Sequence, residues 1–418
     1  MAANAESPGG AEAGANTGAD ADIRAELARV IDTMPLVDHH AHSLLRPPLA
    51  EHDLLDALTQ AEHATDRTAI FDSQLGFALR RFCAPTLGLT PYANAADYLA
   101  ARERLGFDEA TRRLLRASGI RAYLVDDGHA PERLISDAQL AELAGHGDDG
   151  SPVVRIHRIV RLETLAESVM ADAASGADFV ERLPVALESA AASAVGFKTV
   201  AAYRCGLALD PAKPARAELA EAADAWHAAS RRGGGASVRL EDPVIIRHLA
   251  WWALEHGDNG GPAVLQVHVG FGDPDLRLDR ADPFRLQPFI AATQATGGRI
   301  ALLHCHPYLR EAGMLAHLYP HVYLDAGLAL AHVGANADIL VRESLDLAPF
   351  AKVLFSTDAW GVPERVLLGA AVWRDATTRV LAGYVAEHGW PVDEAIRVAE
   401  LIAWRNADAL YGRGFLER

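Results

Sequence analysis

Short apolar runs alternate with longer amphipathic stretches through most of the chain. The runs are Leu36–His40, "IRAYLVDD" (Ile120–Asp127), "VVRIHRIVRLE" (Val153–Glu163), "AVGFKTVAAY" (Ala194–Tyr203), "AVLQVHVG" (Ala263–Gly270), "RIALLHCH" (Arg299–His306), "HVYLDAG" (His321–Gly327) and "KVLFSTDA" (Lys352–Ala359). Short, bounded and nearly continuous apolar runs predict strands buried on both faces. Between them, "DPVIIRHLAWWALEHG" and "DPFRLQPFIAATQATGG" open on Asp-Pro and close at glycine, a helix-start and helix-stop pairing. Ile23–Met34 has apolar residues at helical spacing and leads into the first strand. The segment from about Leu49 to Ser118 is mostly helical and too long for an ordinary connection, so a helical cap inserted after the first strand is expected.

Eight strands alternating with helices predict an all-parallel sheet, because only crossover connections join parallel neighbours. Eight is the number that closes a (β/α)8 TIM barrel, and the fold class expected is α/β of that kind. A doubly wound open sheet is the competing architecture, but no GxGxxG opens the first unit and no Walker loop is present. No internal repeat or second-domain linker interrupts residues 23–418.

Composition narrows the partners. Of 418 residues, half are hydrophobic and 23% charged, enough for a substantial core. A formal charge of −17 opposes phosphate backbones and anionic lipid, so nucleic acid and membrane surfaces are not expected partners. A small-molecule substrate and further copies of the same chain are. Residues 1–22 have no basic or apolar signal region and are rich in Ala, Gly, Asn and Asp, which predicts a disordered tail rather than a secretory leader. Cys83, Cys205 and Cys305 form no CxxC pair. With no apolar run of about 18 residues, a cytoplasmic protein is expected.

In a (β/α)8 barrel the chemistry sits at the C-terminal ends of the strands. Metal-capable side chains recur there. His40 and His42 close the first strand two residues apart and can reach one ion. Lys198 lies in the fourth strand, His268 ends the fifth, His304 the sixth and Asp358 the eighth. A lone strand-end histidine is ordinarily a satisfied polar residue, and Asp358 could simply cap a helix. Recurrence at four strand ends points instead to a metal site, with imidazole and carboxylate suiting zinc, iron, manganese or nickel better than calcium. His306 runs into Pro307 and has turned away, while His39 alternates to the side opposite His40. Lys198, inside an apolar strand, is expected to be paired or to have a depressed pKa. It could carry a carbamate, meet a substrate carboxylate or neutralise a buried acid.

The stretch Asp38-His39-His40-Ala41-His42, with His268, His304 and Asp358, resembles the amidohydrolase superfamily. "VGFKTVAAYRCGL", "LLHCHPYLREAGMLAHLYPHVYLDAGLA", "LAPFAKVLFSTDA" and "NADALYG" resemble its amidohydrolase-2 branch and, within it, the FluG and nodulin type. That resemblance implies one or two divalent ions, most often zinc with manganese or iron as alternatives, held by His40, His42, His268 and Asp358. It makes His304 a second-metal ligand, base or electrophile, and places Lys198 where binuclear members carry a carboxylated lysine. Asp38 and His39 become supporting residues.

The implied reaction is hydrolysis of a C–N bond, with Asp358 moving the proton. The association of relatives with a glutamine-synthetase-like domain points to a γ-glutamyl amide, its α-carboxylate anchored by Arg161, Arg204 or Lys198. The competing readings are a metal-dependent nonoxidative decarboxylase of an aromatic acid and a non-catalytic ligand-binding domain.

Overall fold

The computed structural model describes residues 10–61, 67–147, 150, 153–232, 239–256 and 262–417. Seven strands follow one another in chain order across a single sheet: β1 (Leu36–Ala41), β2 (Ile120–Asp126), β3 (Arg155–Arg161), β4 (Ala194–Thr199), β5 (Val264–His268), β6 (Arg299–Leu303) and β7 (Val322–Leu324). Every adjacent pair is parallel.

The eighth run, expected as a strand over Lys352–Ala359, forms no regular ladder. It still occupies the closing position. Leu354 N donates to Leu324 O of β7 at 2.9 Å, while His39 N donates to Phe355 O at 3.2 Å and Asp358 N to His40 O at 3.0 Å. Bonds to both neighbours close the α/β sheet into a (β/α)8 barrel. They are too sparse for a ladder because the segment leaves extended geometry at Asp358, whose φ is 48°.

Local signals explain the helices around the barrel. Asp242 accepts from Val244 N and Ile245 N to start the helix Pro243–Glu255, so the Asp-Pro start acts as expected. Asp282 caps Phe284 N in the same way, but that segment breaks into a 3-10 turn, Pro283–Leu286, followed by the helix Gln287–Thr293. Between β1 and β2, where the insertion of about 49–118 is expected, lie the helices Glu51–Asp56, Gln74–Ala78 and Ala95–Ser118. Ala95–Ser118 buries Tyr98 and Leu114 and packs beside the helix Pro363–His388 on the barrel wall.

The first helix spans Gly10–Ile31 and so begins inside the tail expected to be disordered. Leu27 and Ile31 are fully buried and anchor it, and the alanines interspersed before them favour its extension. Residues 1–9 of that tail lie outside the described residues. No helix among the described residues is long and apolar enough to cross a membrane.

The barrel interior is packed toward the N-terminal end of the strands by Val37, Ala122, Val195 and Val264. Tyr411 and Phe415, from the C-terminal segment, join this cluster. The apolar plug leaves the opposite end of the barrel free for polar groups.

Candidate metal centre and its cavity

Strand alternation places His39 and His40 on opposite sides, but β1 does not alternate there. Its register against β2 shifts between Asp38 and Ala41, and that irregularity brings both imidazoles to the interior. Each then has a separate task.

His40 Nδ1 meets Gln266 Oε1 at 2.7 Å and His42 Nδ1 meets Asp126 O at 3.1 Å. Both bonds require Nδ1–H, which leaves the Nε2 lone pairs to point elsewhere. They converge on one carboxylate oxygen: Asp358 Oδ1 lies 3.1 Å from His40 Nε2 and 3.4 Å from His42 Nε2. The ligand atoms of His40, His42 and Asp358 all fall within 4.8 Å of one another. His268 and His304 flank this trio. The His304 ring lies 5.1 Å from His40 and 4.8 Å from His268, centroid to centroid, and His304 Nε2 is 3.6 Å from Asp358 Oδ2.

Two residues reach the site from strained backbone. His304 and Asp358 have φ of 59° and 48°, left-handed values that side chains rarely adopt. Gly272 matters for a related reason: a Cβ there would strike the Tyr203 hydroxyl and come within 3.0 Å of His268 Nε2. That nitrogen is buried and has no hydrogen-bond partner among the described residues.

The donor set fits a divalent metal. It offers imidazole nitrogens and a carboxylate, with second nitrogens fixed by neighbours and an orphaned Nε2 on His268. The ionisation states agree. Burial, with the Lys198 ammonium beside it, pushes His40 down to about 4. Burial also drives His268 and His304 well below the ordinary histidine range. At Asp358 burial acts upward, but the surrounding imidazoles, His304 first and then His40 and His42, outweigh it and hold the carboxyl well below its usual value. Neutral imidazoles facing an ionised carboxylate are the forms a metal takes.

Behind this centre runs a support network that sequence reading reached only in part. Gln266 Nε2 donates to His39 O and to the Tyr411 hydroxyl, each at 2.7 Å, which orients its Oε1 toward His40. His39 Nε2 meets Asp325 Oδ2 at 2.7 Å, and Asp325 Oδ1 accepts from His304 N at 2.9 Å. Asp38 accepts from Thr357 N at 2.9 Å and so ties β1 to the segment carrying Asp358. Gln266 was visible as the one polar residue within "AVLQV"; Tyr411 lay inside the family-like stretch "NADALYG" but carried no sign that it would reach the barrel interior.

Lys198 is buried, with Nζ 3.3 Å from His40 Nε2. Burial lowers its pKa to about 8 against the pull of Asp126 and Asp358. His306 is absent from the lining of the cavity, in line with its expected turn away.

A cavity of about 630 Å³ opens over the centre, and both Arg161 and Arg204 line it. Each already has a carboxylate partner. Arg161 Nε and Nη2 grip Asp126 Oδ2 at 3.0 and 2.6 Å, and Arg204 Nη1 binds Glu167 Oε1 at 2.9 Å. Their expected role as carboxylate anchors therefore competes with an internal partner in each case. His129, Arg365 and Trp360 also line the cavity and were not singled out from sequence. His129 is lowered to about 3 by burial and by the adjacent His42.

No family model matches the chain. It is 28% identical to Protein fluG of Emericella nidulans over 421 aligned residues, covering 92% of this chain but 46% of that protein. The chain thus spans about half the length of that relative. Among solved structures it resembles a "putative metal-dependent hydrolase" from Lactobacillus casei, with 27% identity, a TM-score of 0.77, and coverage of 92% of this chain and 97% of that one. The glucuronate isomerase of Caulobacter crescentus superposes with a TM-score of 0.63 at 16% identity, covering 96% of this chain and 95% of that one. The uronate isomerase of Thermotoga maritima gives 0.58 at 12%, covering 93% and 97%. At such identities the two isomerases speak for a shared barrel fold alone.

Proposed function

We propose that the chain is a divalent-metal-dependent hydrolase of the amidohydrolase type, cleaving a C–N bond in a small molecule. The observation that carries this reading is the convergence of His40 Nε2 and His42 Nε2 on Asp358 Oδ1, with both Nδ1 atoms tied back. Likeness to the Lactobacillus casei protein, described as a metal-dependent hydrolase, supports it. His40, His42, Asp358 and the adjacent His268 would hold the ion, zinc first and manganese or iron as alternatives. A bound ion of this kind supplies a Lewis acid that polarises a carbonyl and makes water more acidic.

The residues supply the rest. Asp358, held ionised, accepts a proton from the attacking water and returns it to the leaving nitrogen, so that an amine departs rather than an amide anion. His304 is kept neutral by burial and, in its Nε2–H form, donates to the oxyanion that develops at the carbonyl. Lys198 presents a buried amine beside His40 and contacts the substrate. The barrel walls exclude bulk water, which strengthens each of these interactions.

A γ-glutamyl amide is the first substrate to test. The buried cations of the cavity would also suit a carboxylic acid that is decarboxylated, and product analysis separates the two. Elemental analysis of the purified protein is coupled to a screen of γ-glutamyl amides and aromatic acids. Bound metal with release of glutamate and a free amine is expected. Protein without metal, or carbon dioxide as the product, overturns the proposal.

A further inference from the structure

Several guanidinium groups line the cavity, and their partners differ. Arg161 and Arg204 are neutralised by Asp126 and Glu167, and Arg239 by Asp275 at 3.1 Å. Arg133 is exposed and stacks over the Trp360 ring at 5.5 Å. Arg365 differs from all four. It is 4% exposed, yet no carboxylate among the described residues ion-pairs with it.

Its contacts are neutral. Nη1 reaches Ala57 O at 3.4 Å, and the Gln60 amide, turned to satisfy both its neighbours, accepts from Nη2 at 3.0 Å while donating to Asp273. The buried Nε has no hydrogen-bond partner among the described residues. Asp358 and Asp273 pull on this charge only from beyond ion-pair distance, and burial outweighs them. Carbonyl acceptors satisfy protons but do not cancel the charge, and a buried cation without an ion pair is costly.

Position adds to that cost. Arg365 lies in the first turn of the helix Pro363–His388, where the peptide dipoles already present positive potential. The acid next to it offers no relief: Glu364 Oε1 is taken by Arg102 Nε at 2.5 Å and Tyr98 Oη at 3.3 Å. Arg365, with its orphaned Nε, lines the cavity that also holds Asp358 and Lys198.

We propose that Arg365 is the specificity-determining anchor for a carboxylate borne by the substrate, away from the bond that is cleaved. The arriving carboxylate displaces the Gln60 amide and takes the guanidinium two-pronged, at Nε and Nη2. This assignment rests on the hydrolase reading for its substrate but can be tested without turnover.

Metal-loaded, full-length protein is titrated calorimetrically with glutarate, butyrate and inorganic phosphate. Glutarate has one carboxylate to stand at the reacting centre and a second for Arg365; butyrate has only the first. Wild type should bind glutarate on the order of 10- to 100-fold tighter than butyrate, the range expected for a charge-assisted pair. Arg365→Met, close in length and apolar, should erase that difference while metal content holds. Should that variant fail to fold, Arg365→Lys keeps the charge, loses the two-pronged grip and should weaken glutarate alone by about tenfold.

Either variant binding glutarate as wild type does overturns the assignment. Phosphate binding tighter than glutarate, in an Arg365-dependent manner, overturns the carboxylate in favour of a phosphate group. A wild-type protein that binds glutarate through Arg365 but releases carbon dioxide from its substrate sinks the hydrolase reading and leaves the anchor standing.

Discussion

Replacing Gln266 with Met tests whether the support network governs metal binding. Gln266 is fully buried, and its Oε1 holds His40 Nδ1 at 2.7 Å. Methionine fills a similar volume without an acceptor. The His40 Nδ1–H then becomes a buried donor without a partner, a penalty of about 1–3 kcal/mol. The ring escapes that penalty by moving its proton to Nε2 or by rotating, and either change removes the lone pair now aimed at Asp358. Loss of metal affinity should fall in the range of about 10- to 100-fold, which is about 1.4–2.7 kcal/mol. The assay is competition between metal-free protein and a chromogenic zinc chelator at fixed pH. Thermal unfolding of the metal-free protein runs alongside, because His39 O and the Tyr411 hydroxyl also lose a donor. A folded Gln266→Met protein with wild-type zinc affinity would refute the claim that this amide fixes the His40 tautomer.

Asp358→Asn should lower kcat by roughly 1000-fold while part of the metal is retained, since proton transfer contributes on the order of 10²–10⁴; near-normal turnover sinks the proton-transfer role. Lys198→Ala should raise KM about tenfold with metal content unchanged, the cost of one charged contact to substrate. Recovery of activity with acetate or propionate would instead identify Lys198 as a carbamate ligand. Arg374→Met should destabilise the fold by about 3 kcal/mol in urea unfolding. Arg374 donates to Ile31 O at 3.1 Å, Ser118 O at 2.5 Å and Met34 O at 2.7 Å, joining two helix ends on the barrel wall. Zinc affinity of that variant should not change.

The sequence by itself determined the barrel and the residues gathered at one end of it. Seven of the eight apolar runs became parallel strands in chain order, because continuous burial on both faces leaves its mark as continuous apolar sequence. Spacing along β1 and at the ends of the later strands was enough to bring His40, His42, His268, His304 and Asp358 into view, since strand ends in a closed barrel converge by geometry.

What the sequence could not reach were features set by contacts between distant segments. The irregularity in β1 that turns His39 inward, the left-handed backbone at His304 and Asp358, and the reach of Tyr411 to Gln266, 145 residues away, left no local mark in the sequence. The same holds for charge. Arg161, Arg204 and Arg365 look alike in a string of letters, and only the folded chain shows that the first two already have carboxylate partners. Side-chain identity gives the chemistry available, whereas ion pairing is a matter of distance, and distance between remote residues is decided by tertiary structure alone.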